Sequence, residues 1–375
     1  MADTVCFENG GLKDENGLSR TDTQHTSATQ FKGTVAGEGT ITVYGKSDLW
    51  YLVASGGAIP TSFNQPKLLN VVQASITGAK VESVELPEMP SLKQFSLNNS
   101  TAKSVDVAKA TALTSLTINS MTVAPQLTGI DVSKNTELTY LSLQGSQNTP
   151  GLLTSLDLTQ NTKLEGVYVQ YNQLKEIKLA ERYEALGTFN ASYNQLTTVD
   201  AAAMPAVKWF DVRSNQIAGD MDITSEKLTN VYVNNNQLTS VKVPNVTKQF
   251  YFDNNNMNFR TMPAKPAGMN TTSKTKQYHY APQAALQVPA EVTELDLSDQ
   301  LTAQGILEAP ATTTFTFVTA SGTTLVEDTD YKVTAPGKFQ FLKEQGEKVH
   351  GVLASEAFPL FTGDNAFVTT EFTAK

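Results

Sequence analysis

Leu164-Glu-Gly-Val167-Tyr-Val169 runs into Gln-Tyr-Asn172-Gln-Leu174, and the frame then returns. Leu186-Gly-Thr-Phe189-Asn-Ala191 leads to Ser-Tyr-Asn194-Gln-Leu196. Val207-Lys-Trp-Phe210-Asp-Val212 leads to Arg-Ser-Asn215-Gln-Ile217, and Leu228-Thr-Asn-Val231-Tyr-Val233 to Asn-Asn-Asn236-Gln-Leu238. The frame is LxxLxLxxNxL, with starts 22, 21 and 21 residues apart. A fixed period of this size marks a chain of stacked supersecondary units.

Each unit carries a second, similar half: Leu174-Lys-Glu-Ile177-Lys-Leu179, Leu196-Thr-Thr-Val199-Asp-Ala201 and Leu238-Thr-Ser-Val241-Lys-Val243. An amphipathic helix needs apolar residues at a 3.6 period over about ten positions or more, and no half is long enough. The spacing therefore predicts coils of two short strands and two turns. The frame extends outward through Leu138–Leu143, Leu113–Ile118, Leu92–Leu97 and Leu68–Val71 to Leu49–Ala54, with a worn copy at Phe250–Asn255. That gives about nine coils between residues 40 and 260. One coil cannot cover its own apolar side, so only the stack is stable.

The turn asparagines Asn172, Asn194, Asn215, Asn236 and Asn255 recur with the leucines. Buried backbone groups need partners, and an inward amide supplies them, so these five are read as a structural ladder. The coils beginning at Leu113 and Leu138 are longer, 25 and 26 residues, with the excess at 120–126 and 145–152. Extra residues in a solenoid loop out at one edge.

Ile130-Asp-Val-Ser-Lys-Asn135-Thr-Glu-Leu138 and Leu156-Asp-Leu-Thr-Gln-Asn161-Thr-Lys-Leu164 resemble the LDVSKNTKL signature of internalin-type bacterial leucine-rich repeats. The resemblance covers roughly residues 68 to 255. It implies export, display on a bacterial surface and binding of protein, host-derived in several relatives. Some relatives carry a cysteine at the end of the first strand. This chain has Leu143, Val169, Ala191, Val212 and Val233 there, so nothing redox-active is implied.

The ends read differently. Residues 1–30 are polar and expected to be flexible. Residues 31–67, with the strand pattern Gly39–Tyr44, are expected to form an N-terminal cap and first coil, because a solenoid end must be covered. The repeats proper span 68–260. Residues 261–284 hold Pro263, Pro266, Gly268 and Pro282 and read as a linker. Residues 285–375 alternate as half-buried strands, as at Phe315/Phe317 and Phe339/Phe341, and suggest an immunoglobulin-like β-sandwich. The fold class expected is mainly β: a two-strand leucine-rich repeat solenoid, with little or no helix, followed by that sandwich.

Composition narrows function. The chain has 375 residues and a net charge of -9, so no basic face for nucleic acid or anionic membrane is expected. The one cysteine, Cys6, allows no intrachain disulfide and no thiolate metal cluster. No run of about 18 apolar residues offers a membrane span. The first residues, Met1-Ala2-Asp3-Thr4-Val5-Cys6, show no export signal.

Chemistry is sparse. His25, His279 and His350 lie far apart in sequence, and HExxH, GxSxG and the phosphate-loop motif are absent. Asp131, Asp157, Asp200 and Asp222 look like a catalytic series until the period is noticed. They fall one per coil on an outward position and read as a solvated face. No metal and no cofactor is expected.

What remains is surface. Residues between the leucines of the first strand point away from the core. From Leu138 onward they include Tyr140, Tyr168, Asn190, Trp209, Asp211, Arg213, Tyr232, Asn234 and Tyr251. Tyr, Trp and Arg are the residues enriched at recognition hot spots. The reading is a non-enzymatic recognition or adhesion protein whose strand face binds a protein or glycan. It is expected to be monomeric and extracellular or at the cell surface, with a lipid anchor as one route of attachment. The alternatives are a stalk with no ligand of its own and a carbohydrate-binding accessory module.

Overall fold

The computed structural model describes residues 71–78, 82–123, 125–272 and 275–375, together with the backbone of Asp3–Val5, Arg20–Asp22 and Tyr51–Ser55. The first two of those strands pair antiparallel. The rest of the expected flexible N-terminus (1–30) and of the cap and first coil (31–67) lies outside the described residues. The chain divides into two compact units, Met1–Gln195 and Leu196–Lys375.

The first unit is a parallel β-solenoid. Strands Tyr51–Ser55, Gln73–Thr77, Gln94–Asn98, Ser115–Asn119, Tyr140–Ser142, Gly166–Tyr168 and Thr188–Asn190 each pair with the next, one from each coil. The second-half strands are shorter and interrupted: Ser83–Glu85 pairs with Ser104–Asp106, and Ser155–Asp157 with Glu176–Lys178. Parallel strands meet in register because the frame repeats. Leu116, Leu141 and Val167 share one register line and are fully buried. Each such side chain contributes about 2 kcal/mol by leaving water. Described helix in the chain is limited to single 3-10 turns, such as Ala201–Ala203.

The second unit opens with the same coil. Trp209–Asp211, Asn230–Tyr232, Gln249–Tyr251 and Gln277–His279 form a parallel sheet, and Ala218–Asp222 pairs with Gln237–Lys242 in the second half. The last first-half strand corrects the linker expected at 261–284. That stretch buries Met262, Met269, Tyr278 and Tyr280 and continues the sheet. Its prolines and glycine shape turns within a coil whose leucines have been replaced by aromatic residues, which the frame search does not detect.

Two three-stranded antiparallel sheets follow. Glu294–Asp296, Lys338–Phe341 and Tyr331–Ala335 form one, and Thr314–Thr319, Val349–Ala354 and Phe367–Val368 the other. They share a core around Phe317, with Leu295, Tyr331, Phe339, Phe341, Val349 and Phe372. Within this unit the last coil is joined to the sheets by aromatic contacts. Phe259 lies 5.3 Å from Phe358, and Tyr280 lies 5.3 Å from Phe361 and takes the Leu360 N–H on its hydroxyl at 2.8 Å.

Candidate functional site

The turn asparagines fix the strands that carry the face. Asn194 donates from Nδ2 to the carbonyls of Val169 and Ala191, both at 3.0 Å, and accepts the Leu174 N–H on Oδ1 at 3.0 Å. Asn172, Asn236 and Asn255 repeat this scheme. Asn215 donates to Val212 and accepts from Leu196 in the same way. One amide therefore closes its own turn and ties it to the coil before. Gln283 does the same for the final coil, donating to Phe252 and Tyr280 and accepting from Met257. Sequence reading missed it because the rung is a glutamine behind Pro282.

A second, shorter ladder lies at the other turn. Asn135 donates to Val107 and Ala110, and Asn161 to Val132 and Asn135. In the next coil the hydroxyl of buried Tyr183 donates to Leu158 instead. Of the periodic aspartates, Asp131, Asp157 and Asp200 each accept the N–H two residues on, at 2.8, 3.0 and 3.0 Å. They brace turns rather than merely facing water. Hydrogen bonds from Thr159 hold the Asp157 carboxyl below its usual range, and those from Ser133 do so for Asp131.

The outward row of the first unit holds a single aromatic pair. Tyr140 and Tyr168 approach over Gly166, with ring centroids 5.3 Å apart. A Cβ on Gly166 would lie 3.2 Å from the Tyr168 ring, so glycine permits this pairing. Tyr140 is 39% exposed. Asn190 accepts the backbone and hydroxyl of Ser192 at 3.1 and 2.8 Å.

The outward row of the second unit is packed tightly. Trp209, Tyr232, Tyr251 and His279 follow one another at 5.4, 5.3 and 5.2 Å between centroids. The Arg213 guanidinium lies 4.3 Å from the Tyr232 ring centre, a cation–π distance, and its Nε donates to both Asp211 oxygens at 2.9 and 3.0 Å. Below the rings, Asn230 donates to Tyr232 and Gln249, while the hydroxyls of Tyr232 and Tyr251 donate to Gln249 and Gln277. His279 faces Asp253 at 3.6 Å. Asn234 is half-buried.

Two of the expected face residues are not open to solvent. Asp211 is 1% exposed and Tyr232 6%. Their side chains leave the core as the alternation requires, but neighbouring strands lie about 4.8 Å apart and their rings close over them. Burial pushes the Asp211 carboxyl up despite Arg213, and the Tyr232 phenol up as well. Burial also raises Asp253, against the pull of His279. Trp209, 38% exposed, and the half-buried Arg213 and Tyr251 form the accessible part. His279, absent from the expected set, joins the row because 277–279 is a strand. Among the described residues no group of three His, Cys, Asp or Glu side chains converges to hold a metal, and no helix is long and apolar enough to cross a membrane.

No protein-family model matches the sequence, and no curated protein matches it. Among solved structures, an internalin from Listeria monocytogenes is 17% identical, with a TM-score of 0.37 over 57% of this chain and 68% of its own. A leucine-rich repeat protein from Leptospira interrogans is 16% identical, with a TM-score of 0.32 over 64% and 72%. The functional domain of a second Listeria monocytogenes internalin, which includes a cysteine ladder, is 15% identical, with a TM-score of 0.21 over 82% and 86%. The fold assignment rests on the coils themselves.

Proposed function

We propose that this chain is a non-enzymatic recognition protein, secreted or displayed at a cell surface, whose outward strand row in the second unit binds a protein partner. The observation that carries this is the Trp209–Tyr232–Tyr251–His279 row with Arg213 clamped between Tyr232 and Asp211. Trp, Tyr and Arg dominate protein hot spots. Rigid aromatic side chains fixed before binding lose little entropy on contact. The sandwich at 285–375, read as immunoglobulin-like, serves as a spacer or a second module.

The test is a screen of the full chain against an arrayed panel of extracellular proteins, followed by titration of hits with variants. Trp209→Ala should weaken a hit by about 30-fold or more, within the range of measured hot spots, while costing only about 1 kcal/mol of stability, the scale of the aromatic pair it makes with Tyr232. Undiminished binding by Trp209→Ala and Tyr251→Ala together would remove the strand row from the interface. A panel with no hits would favour the stalk.

A further inference from the structure

A different edge of the first unit carries a feature that neither the ladder nor the strand row uses. Tyr171 and Tyr193 occupy the turn position just before the ladder asparagine, in successive coils. Their backbones are left-handed, with φ of 56° and 55°. The same position holds Asn99, Ser214, Asn235 and Asn254 in other coils, also at positive φ. Asparagine tolerates this region, whereas a bulky aromatic residue there is strained. Strain of this kind concentrates where function needs it. The two rings stack face to face, 4.4 Å apart and 7° from parallel, and Tyr193 is 42% exposed.

The surroundings are polar and uncharged. The longer loop 145–152 abuts this edge, with the Gly151 N–H donating to the Tyr171 carbonyl at 2.7 Å and the Gly145 N–H to the Gln170 carbonyl at 3.1 Å. That loop is tied to its neighbour by the Thr149 hydroxyl, which donates to the Ser120 carbonyl at 2.9 Å. Gln170 donates to Gln144, and its own Oε1 is buried with no hydrogen-bond partner. Residues 110–130, 138–156, 166–174 and 185–199 contain no Asp, Glu, Lys or Arg, in a chain that is 17% charged.

We infer that this edge is a subsite for a neutral carbohydrate, one sugar ring lying on the exposed Tyr193 ring and the following residues of the oligosaccharide running past Tyr171 toward Gln144 and the polar 145–152 loop. The stack offers a flat apolar face for the C–H side of a pyranose. Amides and hydroxyls both donate and accept, as sugar hydroxyls do. The missing charge selects the ligand. No cation stands in these segments to hold a uronate or sialate, and the arginine typical of a protein hot spot is absent from them as well.

The experiment is a glycan array probed with the full chain, holding neutral gluco-, manno-, galacto- and xylo-oligosaccharides beside sialylated and uronate-containing ones. Hits are then titrated calorimetrically. Neutral glycans should be retained and acidic ones not. Tyr193→Asn, which restores the residue type found in other coils, should weaken the neutral hit at least tenfold with no fall in melting temperature. Tyr193→Phe, which keeps the ring, should bind within about threefold of the parent. Trp209→Ala should bind the glycan as the parent does, which separates this subsite from the protein-binding row. The proposal is overturned by acidic glycans being preferred, by no neutral oligosaccharide binding at millimolar concentration, or by a Tyr171→Asn/Tyr193→Asn variant that binds undiminished.

Discussion

In the first unit, the strands and turns between residues 138–156, 166–174 and 185–195 carry tyrosines among amides and hydroxyls, with no charge. In the second, the corresponding segments hold Lys208, Asp211, Arg213 and Asp253, and the aromatic residues there are locked into a row by an ion pair and an amide network. Beneath both runs the same asparagine rung, with the same partners and lengths near 3.0 Å. What the two units share is scaffold. What they do not share is the outward surface, and it is there that the two proposed ligands, a protein and a neutral glycan, are placed.

The largest expected effect breaks what is shared. Asn194→Ala in the first unit and Asn236→Ala in the second each leave buried carbonyls and an N–H without partners, and each should cost about 3 kcal/mol in urea unfolding. Equal losses establish one scaffold. A silent substitution in either unit would end that equivalence.

Next comes a change confined to the second unit. Arg213→Ala leaves the buried Asp211 carboxylate without its cation and should cost about 2 kcal/mol at pH 7, somewhat under the 3–5 kcal/mol typical of broken buried pairs because Arg213 is partly exposed. Burial raises the Asp211 carboxyl above 3.8, so its charged form is the disfavoured one. The penalty is absent below 3.8 and grows as pH rises through the folded value. Denaturant melts near pH 4 should therefore show a smaller deficit than at pH 7, and an equal deficit would mean that Arg213 acts by packing alone. In the first unit, Tyr168→Ala should cost only about 1 kcal/mol, the scale of an aromatic pair, with no pH dependence.

The coil was legible because its determinants are local and periodic: an inward leucine at a fixed interval and an amide at a fixed turn. The row's true exposure was not. Asp211 and Tyr232 alternate outward like Tyr140, and only the size of the side chains around them, Trp209, Arg213 and Tyr251, decides that they are covered. The coil at 261–284 escaped notice because Tyr278 and Tyr280 stand where leucines stood and Gln283 where an asparagine stood. The Tyr171–Tyr193 stack did leave a signal. Two tyrosines 22 residues apart, each directly before a ladder asparagine, occupy a position that other coils give to asparagine or serine.

The smallest expected effect concerns the periodic aspartates. The Asp157 carboxyl is depressed by the Thr159 hydroxyl and N–H. The stability it contributes is present above the unfolded value of 3.8 and is lost as pH falls through the depressed folded value. Asp157→Asn should flatten that acid limb slightly in thermal melts between about pH 5 and pH 2. An unchanged limb would return this residue to the solvated role that its spacing suggested.

The ladder also has a direction. Each amide reaches back: Asn194 secures the Val169 carbonyl and the Leu174 N–H, Asn236 secures Val212 and Ile217, and Gln283 secures Phe252 and Met257. During synthesis, which proceeds from the N-terminus, a coil is therefore sealed only when the following one has emerged. Growth lays down each course before the mortar that holds it, and the course at 249–257 waits on a single glutamine at 283 to be closed.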